Sequence, residues 1–472
     1  MLGRVLTRAA FPRGHHHARH AWTQRGFHDA PSATPDLAYI LDPANREEIA
    51  ANVARRKGVG DIDAVHAMAK QLETDPENAD LRARLTREAL LLPNKTHEQS
   101  SALGEDPKVI KETFWRPVEF GSMPQTTARP AEKLIRSLLG ARVENLNHFS
   151  GDKSYYLMGP LAELEQALIH YTVDRLTHEF GFDLVSVPDL LPAWVVERCG
   201  MAVEGPRTQV YKLDETDKDG DDAFVLSGTA EMALAALHAN KVVDTAGGVR
   251  RLAAVSRCYR AETSMAAAER SIYRVHHFTK VEMFAVVPPG CGVSSGDVLE
   301  EFLDVQNLLF GDLGLSFRVL DMPPHELGAP ANRKFDIEAL FPSREEEGAA
   351  IDERYGEISS CSDCTDFQSR RLNIRDEEDR FAWTVNGTAC AVPRMIMALC
   401  EQMQTFSAQV FVPEPLRPYL RGEPQLLVTR PKNERLNQRF VPSPRAFVGK
   451  TIRHQKTEEE KAAKSKTSQI VK

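Results

Sequence analysis

The 472-residue sequence predicts an α+β fold in which a short pair of helices precedes a larger domain that contains a long helix and a β-hairpin. Three observations predict it. Residues 37–93 carry helical stripes with caps and breaks, residues 159–191 run as one long apolar-striped helix and then a strand, and residues 258–284 read as two strand-like runs joined by a polar loop. Apolar positions three and four apart mark one face of a helix, whereas strict alternation marks a strand.

The helical pair comes first, as an arm over residues 36–100. Asn45 with Glu48 reads as a capping box, and Arg55, Arg56, Lys57 and Gly58 as a basic last turn with a glycine stop. Asp61 caps a second helix with Ile62, Val65, Met68 and Leu72 on one stripe. Pro76 breaks it, and Leu81, Leu85 and Ala89 begin the returning stripe. Legs of about 12 to 18 residues rising 1.5 Å each give the arm a reach of roughly 20 to 25 Å. Residues 101–133, with Pro107, Pro117, Pro124 and Pro130, read as a linker, and residues 134–420 as the main domain. Its first helix places Leu161, Leu164, Ala167, Leu168, Tyr171 and Leu176 largely on one stripe, and the strand after it ends at Pro188.

A 42% hydrophobic share over this length is enough to bury a large core. No apolar run approaches the ~20 residues of a membrane helix, so no membrane role is expected. The formal charge of −8 argues against a nucleic-acid partner only if charge is spread evenly, and it is not. Arg4, Arg8, Arg13, Arg19 and Arg25 precede the first acidic residue, Asp29. That composition reads residues 1–35 as a mitochondrial transit peptide, with Arg25 in RGF beside a processing site; a disordered basic tail is the alternative. His15, His16 and His17 have no convincing partners for a metal site. At the other end, residues 421–472 hold thirteen lysines and arginines against five glutamates and read as a disordered tail, either passive or a flexible RNA contact.

The seven cysteines are an odd, scattered set and not a disulfide framework. Cys361 and Cys364 form a lone CxxC in an expected strand-turn. A structural zinc site needs four ligands and redox chemistry a helix start, so two reduced, buried or half-buried thiols are expected.

In the hairpin, Tyr259–Glu262 and Phe278–Phe284 each set alternate side chains on one face, giving a sheet surface that carries arginine and glutamate together. Such a wall is costly unless a ligand of both signs satisfies it. The hairpin resembles motif 2 of the class II aminoacyl-tRNA synthetases, and among them the seryl-tRNA synthetases, especially those of animal mitochondria. GTAE (228–231), RKFDIEALFP (333–342), GEISSCSDCTDFQSRR (356–371) and NGTACAVPR (386–394) follow the family order, and the helix from 159 resembles motif 1.

The resemblance implies an antiparallel six-stranded class II core acting as a homodimer through motif 1, or as a heterodimer with a paralogue. It implies ATP and Mg²⁺ chemistry in the mitochondrial matrix, with serine and mitochondrial tRNA-Ser as substrates. By the same resemblance Arg260 and Arg394 are catalytic, and Thr229, Ala230, Glu231, Arg260, Glu282 and Thr388 bind serine. ATP falls to Arg260, Ala261, Glu262, Arg274, Phe278, Glu357, Ile358, Ser359, Ser360 and Arg394, and Mg²⁺ to Glu357 and Ser360, hard oxygen ligands of the kind it prefers. LPNKTH (92–97) resembles the segment closing the family's tRNA-holding arm, which here is truncated. The loop 264–271 lacks the family's glycines, and Thr388 stands where many relatives carry serine. The rival reading is a non-catalytic paralogue that binds RNA or a true synthetase.

Overall fold

The computed structural model describes residues 30–114, 128–138, 150–151, 153–205, 208–213, 223–262, 271–346, 349–405, 407 and 409–427. The transit-peptide reading, most of the basic tail and hairpin residues 264–270 lie outside the described residues.

One sheet of eight strands organises the chain. In sequence they are β1 (Lys108–Thr113), β2 (Asp183–Leu184), β3 (Arg250–Tyr259), β4 (His277–Val287), β5 (Phe317–Asp321), β6 (Arg333–Leu340), β7 (Tyr355–Thr365) and β8 (Trp383–Ala391). Their order across the sheet is β1-β5-β6-β7-β8-β4-β3-β2. The inner six strands, β5 to β3, pair antiparallel as the sequence predicts. Two additions correct that expectation. β1, inside the expected linker, pairs antiparallel with β5, and β2 adds a parallel edge to β3. The first is exposed at almost every position, so neither face carried an apolar signal.

Helices cover both faces. Of those used below, α1 is Arg46–Arg55, α2 Ile62–Thr74, α3 Ala79–Leu91, α4 Ala131–Leu138, α5 Pro160–Asp174, α6 Ala230–Ala236, α7 Ser295–Asp312, α8 Phe367–Leu372 and α9 Val392–Gln402. Val281, Met283, Ala285 and Val287 of β4 point into a core shared with α5, α7 and α9. Phe284 and Val286 point the other way, into a second core with α6 and helix Ala193–Arg198. Alternation along one strand therefore builds two hydrophobic layers. Gly387 of β8 belongs to the first layer, where a Cβ would lie 3.1 Å from Cys361 Cβ and 3.2 Å from Phe302.

The arm has legs of 13 residues each, α2 and α3, at the short end of the expected range. Asp61 caps α2 by accepting from the amides of Asp63 and Ala64, and Leu81, Leu85 and Ala89 are buried. One expectation fails. Asn45 makes no side-chain cap and instead donates to the Tyr39 carbonyl, because a 3-10 turn, Pro43–Asn45, already leads into α1. Arg55 does form the basic last turn of α1, and Arg56 after it is buried against the main domain. The apolar stripe of the motif 1 helix packs inward: Leu161, Leu164, Ala167, Leu168, Tyr171 and Leu176 are all buried within this chain. Packing extends past 420, too: Leu426–Leu427 pairs with Val410–Phe411.

Candidate active site

The strands part where the site lies. β7 and β8 pair from Thr365↔Thr384, through a bulge at Asp363/Thr365, up to Cys361↔Gly387 and no further, leaving Ser360 and Thr388 without a partner across the split while each keeps its neighbour on the other side, Asp336 and Glu282. Gln306 of α7 fills that role: its Nε2 donates to Ser360 O and Thr388 O, both at 2.9 Å, and to Ser359 Oγ at 2.8 Å. Above this split opens a cleft of about 270 Å³. A bulge between Glu357 and Ser359 interrupts alternation, so Glu357 and Ser360, three apart, both face the cleft.

One end of the cleft is small and acidic. Lys280 and Glu282 of β4, with side chains 7% and 2% exposed, form an ion pair there. Lys280 Nζ also donates to Thr229 Oγ1 at 2.8 Å and lies 3.5 Å from Thr388 Oγ1. Thr229 is the N-cap of α6 and accepts from the Glu231 amide at 3.3 Å. Glu231 Oε1 accepts from Gln368 Nε2 at 2.7 Å and from Asn386 Nδ2 at 2.9 Å. Gln368 Oε1 in turn accepts from Thr384 Oγ1 at 2.7 Å, which fixes its amide orientation. Burial, and then the neighbouring Glu282, raise Glu231 to about 7 against the pull of Lys280. Burial raises Glu282 as well, with Lys280 opposing. Two carboxylates and one ammonium leave this end ready for a second cation.

The other end is lined by cations and an aromatic ring. Arg260 lies just past β3, its guanidinium 5.4 Å from the Phe278 ring centroid and its Nε 3.4 Å from the Gly228 carbonyl. Sequence reading placed Tyr259–Glu262 in a strand, but β3 ends at Tyr259. The last three residues turn into the hairpin loop while the Arg260 amide still donates to His276 O. Arg274 pairs with Glu262 at 3.6 Å. Arg394, in the first turn of α9, donates to the Glu357 carboxylate and carbonyl, both at 3.1 Å, and lies over Tyr273. Burial disfavours the Glu357 charge, but Arg394 and Lys334 outweigh it and hold the group at about 2. Glu357 is thus ionised at every physiological pH.

Most of the expected site residues meet in this cleft: Thr229, Glu231, Arg260, Glu262, Arg274, Phe278, Glu282, Glu357, Ser360, Thr388 and Arg394. Ile358 and Ser359 border it too, although Ile358 is also part of the core behind the sheet and the Ser359 hydroxyl donates to Thr388 O. Two depart: Ala230 packs into the core under α6, and Ala261 spends its amide on Gln209 O, so neither lines the cleft. Lys280, Lys334, Asn386 and Gln368 were missed. A lysine two residues before a glutamate in an apolar strand, KVE, is the signal that could have found Lys280. Cys361 and Cys364 lie within β7, both free and buried, and burial raises both thiols well above their usual range.

An antiparallel sheet in this order, split beneath a cleft with an acidic end and an arginine-lined end, defines the core of a class II aminoacyl-tRNA synthetase. Residues 211–403 match the tRNA synthetase class II core domain (G, H, P, S and T). Over 357 residues the sequence is 35% identical to the serine–tRNA ligase of Rubrobacter xylanophilus, covering 74% of this chain and 78% of that protein. Over 349 residues it is 42% identical to the mitochondrial serine–tRNA ligase of Bos taurus, covering 73% of this chain and 64% of that one. A seryl-tRNA synthetase from Pyrococcus horikoshii complexed with ATP superposes with a TM-score of 0.64 at 28% identity, over 82% of this chain and 89% of that one. For the cytoplasmic serine–tRNA ligase of Naegleria fowleri in complex with AMP the TM-score is 0.67 at 23% identity, over 83% and 98%. The chain belongs to the serine–tRNA ligase family, and it spans just under two thirds of the bovine relative's length.

Proposed function

We propose that the chain activates serine with ATP and transfers it to the 3′ end of mitochondrial tRNA-Ser. A serine carboxylate oxygen attacks the α-phosphorus, the bond to the bridging oxygen breaks and pyrophosphate leaves. The terminal ribose hydroxyl of the tRNA then attacks the seryl carbonyl and releases AMP. The observation that carries this reading is the small acidic end, where Thr229, Glu231, Glu282 and Thr388 converge within reach of Arg260.

Serine is small, so selection must come from polar pairing. Glu231 and Glu282 suit its ammonium, and Thr388 with Glu282 its hydroxyl. An alanine analogue would leave buried polar groups unpaired, a penalty that discriminates strongly. Arg260, with its planar fork between the two ends, is placed to hold carboxylate and α-phosphate oxygens together. Phe278 offers a face to the adenine, Glu262 an acceptor for its amino group, and Arg274 and Arg394 charge for the outer phosphates. Glu357 and Ser360 suit Mg²⁺, which prefers hard oxygens and completes its shell from substrate phosphates. Among the described residues no cluster of three or more His, Cys, Asp or Glu side chains forms a self-contained cage, in keeping with that mode. When bound, the ion supplies charge neutralisation at the phosphates.

The mitochondrial relatives and the basic N-terminal segment support a location in the matrix. A homodimer is part of this reading, and the exposed Leu184 and Leu190 beyond α5 favour the strand of motif 1 over its buried helix as the contact. The test is exchange of pyrophosphate into ATP by the purified chain. Serine should drive it far better than alanine or threonine, and zinc chelation should leave it intact. Exchange that is independent of serine, or faster with threonine, would overturn the reading.

A further inference from the structure

The root of the helical arm is tied to the wall of the cleft by buried polar contacts. Arg56, just past α1, is 4% exposed. Its Nη1 donates to Asn94 O at 2.7 Å, and its Nη2 to the carbonyls of Gly328 and, at 3.3 Å, Ala329. Its Nε has no partner, and among the described residues no carboxylate faces it within ion-pair reach. A guanidinium buried against three carbonyls and, at 3.5 Å, the Thr96 hydroxyl is an expensive fastening, and burial lowers it to about 10. Asn94 continues the tie. Its Nδ2 lies 2.8 Å from Pro330 O and 2.9 Å from both Cys364 O and Thr365 Oγ1, while its amide donates to Ala329 O at 2.9 Å.

What these two residues hold is the back of the acidic end. Gly328, Pro330 and Ala331 line the cleft on their other side. Cys364, whose carbonyl Asn94 engages, accepts at Sγ from Asn386 Nδ2 at 3.4 Å, and that amide also holds Glu231. The arm itself is poorly charged for RNA. Residues 61–91 carry four lysines and arginines against seven acidic residues, and Glu73, Asp75 and Glu77 at its tip are exposed. Such a surface repels phosphates.

We propose that Arg56 and Asn94 are positioning residues of the amino-acid activation site, so that the arm braces the 328–332 wall and the Asn386–Glu231 contact before any RNA is bound. This rests on the reading of the cleft as the place where serine is activated. The brace sets the acidic end and leaves the nucleotide end alone. A displaced wall therefore weakens serine capture and spares ATP.

The test is tRNA-free pyrophosphate exchange by the full chain with serine and ATP varied separately. Arg56→Met and Asn94→Ala should each raise the serine KM about tenfold, a displacement well under 1 Å being sufficient, with the ATP KM within twofold. Arg56→Lys, which keeps the charge and part of the carbonyl contact, should recover most of the loss. General destabilisation would instead lower the active fraction, and so kcat, without splitting the two KM values. Asn94→Ala removes no charge and guards against an Arg56 variant that fails to fold. In a second readout, amide hydrogen exchange at Asn332 should quicken in both variants while β4 stays protected. If the unaltered chain shows no serine-dependent exchange, the reading of the cleft falls and the brace with it. If it exchanges but the variants keep the serine KM within twofold, the brace alone is overturned.

Discussion

Lys280 and Glu282 stand two apart on β4, on the face that becomes plain core at Phe284 and Val286. A buried ion pair is weak evidence for stability, because desolvation offsets most of its attraction. Its use here is to leave a pocket short of one positive charge. Glu231, raised to about 7 by burial and Glu282, makes that shortage depend on pH. A carboxyl raised above its ordinary range holds a proton in the empty pocket near neutrality, and a bound ammonium expels it, so serine affinity rises with pH. The serine KM should fall about tenfold between roughly pH 6 and pH 8, with the ATP KM flat, and Glu231→Gln should abolish the slope. A flat profile in the unaltered protein would refute the assignment of Glu231 to the ammonium. At the other end Arg260→Ala should lower exchange by at least about a hundredfold, the usual loss when a transition-state charge partner is removed. Activity within a few-fold of the unaltered chain would exclude that role. Arg260 and Glu282 were legible because arginine and glutamate together on the hairpin wall demand a ligand, and Glu357 only through the resemblance of its motif to the family's. Gln368 was not, since a neutral amide in a short helix gives no such signal before Thr384 and Glu231 are seen around it.

Helix α7 shows how an element serves the site without touching it. Its apolar stripe buries Val298, Leu299, Phe302, Val305 and Leu309, and Gln306 interrupts the pattern at 0% exposure. In the fold that glutamine takes over the hydrogen bonds that β7 and β8 give up when they part. Gln306→Leu would orphan the Ser360 carbonyl and loosen the strand carrying Thr388. We expect a loss of about 1–3 kcal/mol in unfolding free energy, the cost of a buried unpaired group, together with higher KM values for both serine and ATP. Chemical denaturation and exchange kinetics on the same preparation check both, and an unchanged midpoint would show that water replaces the amide. Elements with strong periodicity, α2, α3, α5 and β4, were readable from spacing, whereas β3 was placed too late, on Tyr259–Glu262. β1 was not, because an edge strand exposed on both faces needs only its partner's backbone, and pairing across two hundred residues leaves no local trace.

At the scale of the whole molecule, charge segregation is the unresolved demand of the sequence. Residues 428–472 carry twelve lysines and arginines against four glutamates, a net +8 on a chain of −8, which leaves −16 for everything before them. An acidic arm and an acidic body are poor partners for a tRNA backbone, so the reach lost with the shortened arm is best recovered by the basic segment around Arg430, Lys432, Arg435, Arg439, Arg445 and Lys450. Leu426–Leu427 is still paired to Val410–Phe411, so the cut that removes the segment without disturbing the fold falls after Leu427. Each phosphate neutralised releases a counterion, and affinity then falls with salt in proportion to the contacts made. Removing residues 428–472 should therefore weaken tRNA-Ser binding and flatten its salt dependence by several units of log–log slope. Serine-dependent pyrophosphate exchange should stay within twofold, because every residue assigned to the cleft precedes the cut. Filter binding across a salt series, run beside exchange on the same two proteins, separates the outcomes. Equal affinities with equal slopes would make the tail a passive extension and return tRNA recognition to surfaces of the folded body.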